Sequence, residues 1–263
     1  MIRSVAVIPA APALIPELMA GAAAEVEPVR SAARQAIAAV AASVLGPAGL
    51  PPLGRLVVVG LAADDVEAGS RSHDLAGALK DDSFGPRLEL AALRGALVPS
   101  SAPGLPTDGV PTPLLVARRL ASDVAREHPG TAALWRETLW ITLTPESVED
   151  YARSLVLDDA PIGLVVVADG AACHGPKAPR AEDVRAESYD DDVCRALTSA
   201  DPADFAALDP RLGRELTAEG AELWPLLAAA ARDGHRSGSG WRAELGWRGA
   251  PYGVGWFVAT WLR

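Results

Sequence analysis

The stretch that decides the fold is Ile162-Gly163-Leu164-Val165-Val166-Val167-Ala168. This apolar run has no alternating polar residues, which is typical of a strand buried on both faces of a parallel sheet. Two similar runs, Ser4 to Ile8 and Arg55 to Leu61, come before it in the chain. Helical patterns separate the three runs. The sequence therefore predicts an α/β fold, a three-layer α/β/α sandwich around a mostly parallel mixed sheet.

The remaining elements follow from periodicity and from proline and glycine positions. Apolar residues at helical spacing predict a long helix from Val26 to Leu45. Thr112 is expected to cap a second helix that runs to His128. Further elements are predicted as strands at Leu88–Leu97, Glu137–Leu143 and in the tail Trp241–Arg263, and as helices at Thr144–Leu155 and across Glu187–Asp233. Within this last region, Asp201-Pro202 and Asp209-Pro210 predict two helix starts. No composition break marks a boundary, so residues 1–263 are expected to form a single domain.

Composition excludes several classes of function. The chain has 263 residues and a formal net charge of −10, and an acidic surface repels nucleic-acid phosphates. Two cysteines, Cys173 and Cys194, do not make a disulfide framework. No apolar run is long enough for a membrane span, and the N-terminal apolar run is too short for a signal peptide. We expect a cytoplasmic protein that binds neither nucleic acid nor membranes.

The loops that follow the buried strands hold the candidate site, because open α/β sheets place their chemistry at strand ends. These positions are Ala10, Ala62, Ala63, Asp64, Asp65, Asp169 and His174. The carboxylates there either bind a hard cation or cap helices and face water. His174 is either a general acid or base or an ordinary loop histidine. Cys173 beside it is a candidate nucleophile, although no third orienting group is evident.

Four segments of the chain resemble the class III extradiol ring-cleavage dioxygenases, the LigB-like superfamily that also includes the Memo proteins. The segments are Val5–Glu17, Val57–Ala63, Val165–His174 and Ala250–Ala259, and they occur in the family's order. Each motif is short, but together they span nearly the whole chain. The resemblance implies a LigB-like architecture for residues 1–263.

The resemblance also implies an Fe(II) site of two histidines and one glutamate, with a further histidine that moves protons. The family's opening motif is Pro-His-Pro-Pro, and here Ala10 stands at the histidine position. The second ligand would follow the second strand, where this chain has Ala62 and Ala63. His174 aligns with the histidine of the family's third motif, and Glu244 is a candidate for the carboxylate ligand. Alanine has no donor atom, so the resemblance implies a degenerate site without iron.

Three functions follow from these observations. The first is a non-catalytic LigB-like protein that binds a small molecule, such as a small aromatic ligand, or a protein partner. The second is an active extradiol-type dioxygenase with replacement ligands drawn from Asp64, Asp65, His73, His174 and Glu244. The third is metal-free hydrolysis with Cys173 or His174. The tryptophans of the tail are expected to pack in the core or in a homo-oligomer interface.

Overall fold

A computed structural model of the chain describes residues 1–19, 23–47, 50–62, 87–89, 111–238 and 240–263. Within these residues, seven strands form one sheet in the order β3-β4-β2-β5-β1-β7-β6. The strands are β1 (Ile2–Ile8), β2 (Arg55–Leu61), β3 (Arg87–Glu89), β4 (Leu139–Leu143), β5 (Ile162–Val167), β6 (Arg242–Gly249) and β7 (Trp256–Leu262).

The sheet is mostly parallel. The five strands from β3 to β1 run in the same direction, whereas β7 is antiparallel to β1 and β6 is antiparallel to β7. The central strand β5 pairs with two neighbours, so that Val166 lies opposite both Val7 and Val59. A strand with helices on both sides needs apolar residues at every position, and this explains the unbroken run at Ile162–Val167.

Helices cover both faces of the sheet. Within the described residues they are α1 (Glu27–Val44), α2 (Thr112–Glu127), α3 (Ala132–Arg136), α4 (Val148–Leu157), α5 (Arg185–Ser199), α6 (Pro202–Ala207), α7 (Pro210–Glu215) and α8 (Trp224–Arg236). One hydrophobic core packs α1, α2 and α3 against the sheet. The other core packs α4, α5, α6 and α8 against the opposite face. The predicted α/β sandwich with a mixed sheet is therefore confirmed.

Two predicted helix starts are confirmed and one is wrong. The side chains of Asp201 and Asp209 accept hydrogen bonds from the backbone amides two residues later, both at 2.8 Å, and each precedes a proline. Thr112 does not cap α2, because Pro111 takes the capping position and Thr112 is already the first helical residue. The helix therefore begins one residue before Pro113.

The region Glu187–Asp233 is divided into several helices, two of which begin at the predicted aspartate–proline pairs. The helix α5 ends at Ala200, which adopts a left-handed conformation with φ of 49°. The next two helices, α6 and α7, each begin with a proline, which is favoured at the first helical position. Of the predicted strand Leu88–Leu97, the structure describes only its beginning within β3, and the rest lies outside the described residues.

The two tail strands are confirmed, and their tryptophans pack mainly in the core. Trp256 and Trp261 are buried, and Nε1 of Trp261 donates to the carbonyl oxygen of Leu197 at 2.8 Å. Trp241 packs against Trp261 with ring centroids 5.9 Å apart. The part of the chain that the structure describes holds no helix long and apolar enough to cross a membrane.

The carboxyl ends of β1 and β5 form a topological switch point of the sheet, and we call the place between them the crevice. These strands are neighbours, yet the helix after β1 (α1) packs on one face and the helix after β5 (α5) packs on the other. The two chain connections therefore leave in opposite directions. Ligands of open α/β folds bind at such switch points. The crevice is flanked by the loops that begin at Pro9 and Ala168.

Candidate functional site

A buried hydrogen bond joins the two loops of the crevice. The backbone amide of Ala10 donates to Oδ1 of Asp169 at 2.8 Å, and both residues are buried. The backbone of Asp169 is held as well, because the carbonyl oxygen of Asp169 accepts a hydrogen bond from the amide of Gly220 at 2.7 Å. Asp169 therefore satisfies a buried amide that would otherwise lack a partner, and in doing so ties the end of β5 to the end of β1.

Burial dominates the electrostatics of Asp169. The loss of solvent raises the pKa of its carboxyl well above the ordinary value, and the negative charges of Glu219 and Asp190 raise it further, against the hydrogen bond from Ala10. Glu219 is exposed, so solvent screens its charge, and the burial of Asp169 itself is the main cause of the raised pKa. A carboxyl in this environment favours its neutral form.

A buried carboxylate orients His174. A hydrogen bond of 2.6 Å joins Nε2 of His174 to Oδ2 of Asp190, and Oδ1 of Asp190 accepts from the amide of Ala171 at 3.0 Å. The backbone of His174 is held too, since its amide donates to the carbonyl oxygen of Gly253 at 3.0 Å. Burial raises the pKa of Asp190, and the hydrogen bonds from Ala171 and His174 oppose this increase.

Two glycines make room for the Asp190 carboxylate. A Cβ atom on Gly255 would overlap its Oδ2 atom, and a Cβ atom on Gly170 would overlap its Oδ1 atom. The two glycines also bind each other, because the amide of Gly170 donates to the carbonyl oxygen of Gly255 at 2.6 Å. The absence of side chains at both positions lets a helix carboxylate reach the loop that carries His174.

A pocket of about 420 Å³ opens beside His174. It lies between α5 and the end of β6, and its lining consists of His174, Glu187, Asp190, Asp191, Arg248, Gly249, Ala250 and Phe257. Arg248 forms an ion pair with Asp191 across the pocket. The lining thus carries three carboxyl groups against one guanidinium and one imidazole, so its charge balance is acidic.

The predicted site residues are only partly brought together. Ala10 and Asp169 meet in the crevice, and His174 lies in the adjacent pocket. Ala62 is half-buried at the end of β2, where its amide donates to the carbonyl oxygen of Leu143 at 2.8 Å. Ala63, Asp64, Asp65 and His73 lie outside the described residues.

Glu244 is distant from His174 along the sheet. It is exposed on the edge strand β6, opposite Thr260. The pocket begins at Arg248, four residues further along β6, which corresponds to about 13 Å of extended chain. Glu244 therefore stands apart from the crevice and from the pocket.

The environment of Cys173 does not favour a nucleophilic thiolate. Its side chain is buried, and Sγ donates to the carbonyl oxygen of Leu216 at 3.3 Å. Burial raises the pKa of this thiol above its ordinary value, whereas a reactive cysteine needs a lowered pKa. The hypothesis of cysteine-based hydrolysis loses its main support.

The donor groups of the described residues do not fit a two-histidine, one-carboxylate iron site. No cluster of three or more histidine, cysteine, aspartate or glutamate side chains among them could hold a metal ion. Ala10 offers no side-chain donor, and Nε2 of His174 is already bound to Asp190. This finding covers the described part of the chain, to which Asp64, Asp65 and His73 do not belong.

Sequence reasoning missed Asp190, the partner of His174. The run Asp190-Asp191-Asp192 has the composition of a solvated helix face, yet only Asp190 is fully buried. A signal was present, because Asp190 falls within the apolar stripe of α5 formed by Ala186, Tyr189, Val193, Cys194 and Leu197. An acidic residue on such a stripe needs a buried partner, and His174 provides it.

No protein-family model and no curated protein matches this chain. The architecture and the site geometry are therefore the basis for a functional assignment.

Proposed function

We propose that the chain is a LigB-like protein of the extradiol dioxygenase superfamily with a degenerate iron site. In this proposal it performs no ring cleavage and binds a small aromatic molecule in the pocket beside His174. The observation that carries the proposal is the hydrogen bond from the amide of Ala10 to Asp169. It occupies the crevice at the position where the family resemblance places a histidine ligand.

The chemistry of the donor groups supports the loss of iron. An Fe(II) site that leaves coordination positions free for substrate and O₂ uses three protein donors on one side of the metal. Alanine at position 10 supplies none, and the raised pKa of the Asp169 carboxyl beside it opposes the loss of the proton that metal binding requires. His174 keeps a structural hydrogen bond with Asp190. The sequence resemblance and these contacts point in the same direction.

The pocket beside His174 suits a small ring compound with a positive charge. Its volume of about 420 Å³ is within the range of small-molecule sites. Gly249 and Ala250 give it an apolar part, on which a ring can pack, and the fully buried Phe257 lies behind them. Asp190 and Asp191 have partners in His174 and Arg248, whereas no ion pair involves Glu187 within the described residues. Glu187 is thus available to an ammonium group.

A matched pair of compounds tests the ligand. Tyramine and 3-(4-hydroxyphenyl)propanoate share a phenol ring and differ in the charge of the side chain. In calorimetric titrations we expect tyramine to bind and the propanoate to bind at least fivefold more weakly.

Glu187→Gln should weaken tyramine binding about fivefold, as expected for one solvent-accessible ion pair. Glu182→Gln removes an exposed carboxylate outside the pocket and should leave binding unchanged. Equal binding of both compounds would refute the ligand class.

An oxygen-uptake assay tests the absence of ring cleavage. The protein is incubated with Fe(II) and a panel of catechols, and we expect no uptake above that of Fe(II) alone. Protein-dependent uptake with a ring-opened product would favour the active dioxygenase with replacement ligands, including Asp64, Asp65 or His73, instead.

A further inference from the structure

A second cavity lies on the outer surface of the helices α4 and α8. It has a volume of about 680 Å³ and is lined only by residues of these two helices. Its apolar lining consists of Ala152, Val156, Leu157, Pro225 and Ala229. Leu157 is 80% exposed, which is unusual for a large apolar side chain. We call this cavity the α4–α8 groove.

The α4–α8 groove is lined by arginines, although the chain as a whole is acidic. Its lining includes Arg153, Arg232 and Arg236 but only one acidic residue, Glu149, whereas the whole chain has a net charge of −10. Arg153 is paired with Glu149 and Asp150.

The three arginines differ in their partners. Arg236 is paired with Asp233 of its own helix. Arg232 is exposed, and none of the ion pairs among the described residues involves it. A guanidinium group at the edge of an apolar groove is a suitable partner for a carboxylate or a sulfonate.

We propose that the α4–α8 groove binds a small amphiphilic anion, with its apolar body against Leu157 and Ala229 and its anionic group at Arg232. The volume is in the range of small-ligand sites, and an apolar lining with few polar groups is the usual composition of such sites. Because no ion pair among the described residues involves Arg232, its guanidinium group favours an anion over a neutral or cationic amphiphile. This proposal is independent of the pocket beside His174, which has an acidic lining.

Two fluorescent probes of matched shape test the proposal. The anionic probe is 8-anilinonaphthalene-1-sulfonate, and the uncharged probe is N-phenyl-1-naphthylamine, which has the same rings without the sulfonate. We expect one saturable site for the anionic probe and weaker binding of the uncharged probe. Arg232→Glu should weaken the binding of the anionic probe at least fivefold and change the binding of the uncharged probe less than twofold. Leu157→Asp should weaken both.

Arg211→Glu is the matched control, since Arg211 is an exposed arginine of α7 outside the α4–α8 groove. It should change the binding of neither probe. Both groove substitutions are at exposed positions, and equal unfolding temperatures of all variants would show that the fold is intact. If Arg232→Glu unfolds more easily, Arg232→Gln replaces it with the same expected loss of selectivity.

Three results would overturn the proposal. The first is anionic-probe binding that Arg232→Glu and Leu157→Asp leave unchanged. The second is an equal loss of binding in Arg211→Glu, because the effect would then reflect net charge alone. The third is a dimer in sedimentation velocity that Leu157→Asp dissociates and that excludes the probe, because the groove would then be an interface between two copies of the chain.

Discussion

The Oδ1 atom of Asp169 accepts a hydrogen bond from the backbone amide of Ala10 at 2.8 Å. The bond crosses the crevice between β1 and β5, where open α/β folds bind their ligands. In this chain a protein carboxyl and a protein amide satisfy each other at that place. Small residues after β1 and a buried acid after β5 thus stabilise the fold at the position where a ligand would be expected.

We predict that Asp169→Ala unfolds more easily than Asp169→Asn. The asparagine keeps an oxygen that accepts from the amide of Ala10, whereas alanine leaves this buried amide without a partner. The difference in the free energy of unfolding should be about 1–3 kcal/mol. Urea denaturation of the two variants at the same pH measures it. Equal stability would mean that water replaces the carboxyl oxygen and that the bond contributes little.

We predict that the wild-type protein loses stability relative to Asp169→Asn as the pH rises. Burial raises the pKa of Asp169 in the folded state above the ordinary value of 3.8. The folded state therefore binds the proton more tightly than the unfolded state does, and its stabilisation is complete below the ordinary pKa. It is lost as the pH rises through the folded-state pKa. Urea denaturation of both proteins across the acidic and neutral range measures this, and a constant difference would contradict it.

We predict that Gly255→Ala destabilises the protein by about 1–3 kcal/mol, because the new methyl group overlaps the Asp190 carboxylate. Gly246→Ala is the control. Its methyl group would meet Val258 only at ordinary contact distances of 3.7 Å and more, and we expect a change within about 0.5 kcal/mol. Thermal unfolding compares the two variants. Equal effects would show that glycine is not required for the contact between α5 and the His174 loop.

We predict that Cys173 reacts with iodoacetamide more slowly than a free thiol at neutral pH. Its pKa is raised by burial, and its Sγ atom is bound to the carbonyl oxygen of Leu216. Mass spectrometry of the labelled peptide follows the reaction, and labelling in denaturant gives the reference rate. Faster labelling in the folded protein would restore the hypothesis of a catalytic cysteine.

The fold was predictable where patterns are local. Three unbroken apolar runs predicted the parallel strands, because only strands covered on both faces need apolar residues at every position. The two aspartate–proline pairs predicted the starts of α6 and α7. The order of the strands and the face on which each helix packs depend on contacts between distant residues, so periodicity did not reveal them.

The site was less predictable because its bonds join residues far apart in sequence. Asp169 and His174 were selected from their positions after β5, but the contact of Asp169 with Ala10 spans 159 residues. Asp190 was hidden in an acidic run, although its helical spacing placed it on the buried face of α5. The cytoplasmic location, the homo-oligomer and the roles of Asp64 and His73 stay predictions.

We propose that the iron site implied by the family resemblance is degenerate in this chain, and the iron content of the purified protein tests this most directly. The protein is loaded with Fe(II) under anaerobic conditions, unbound metal is removed, and iron per chain is measured. Because Ala10 has no donor and Nε2 of His174 is bound to Asp190, we expect much less than one iron per chain. One tightly held iron per chain would contradict the account.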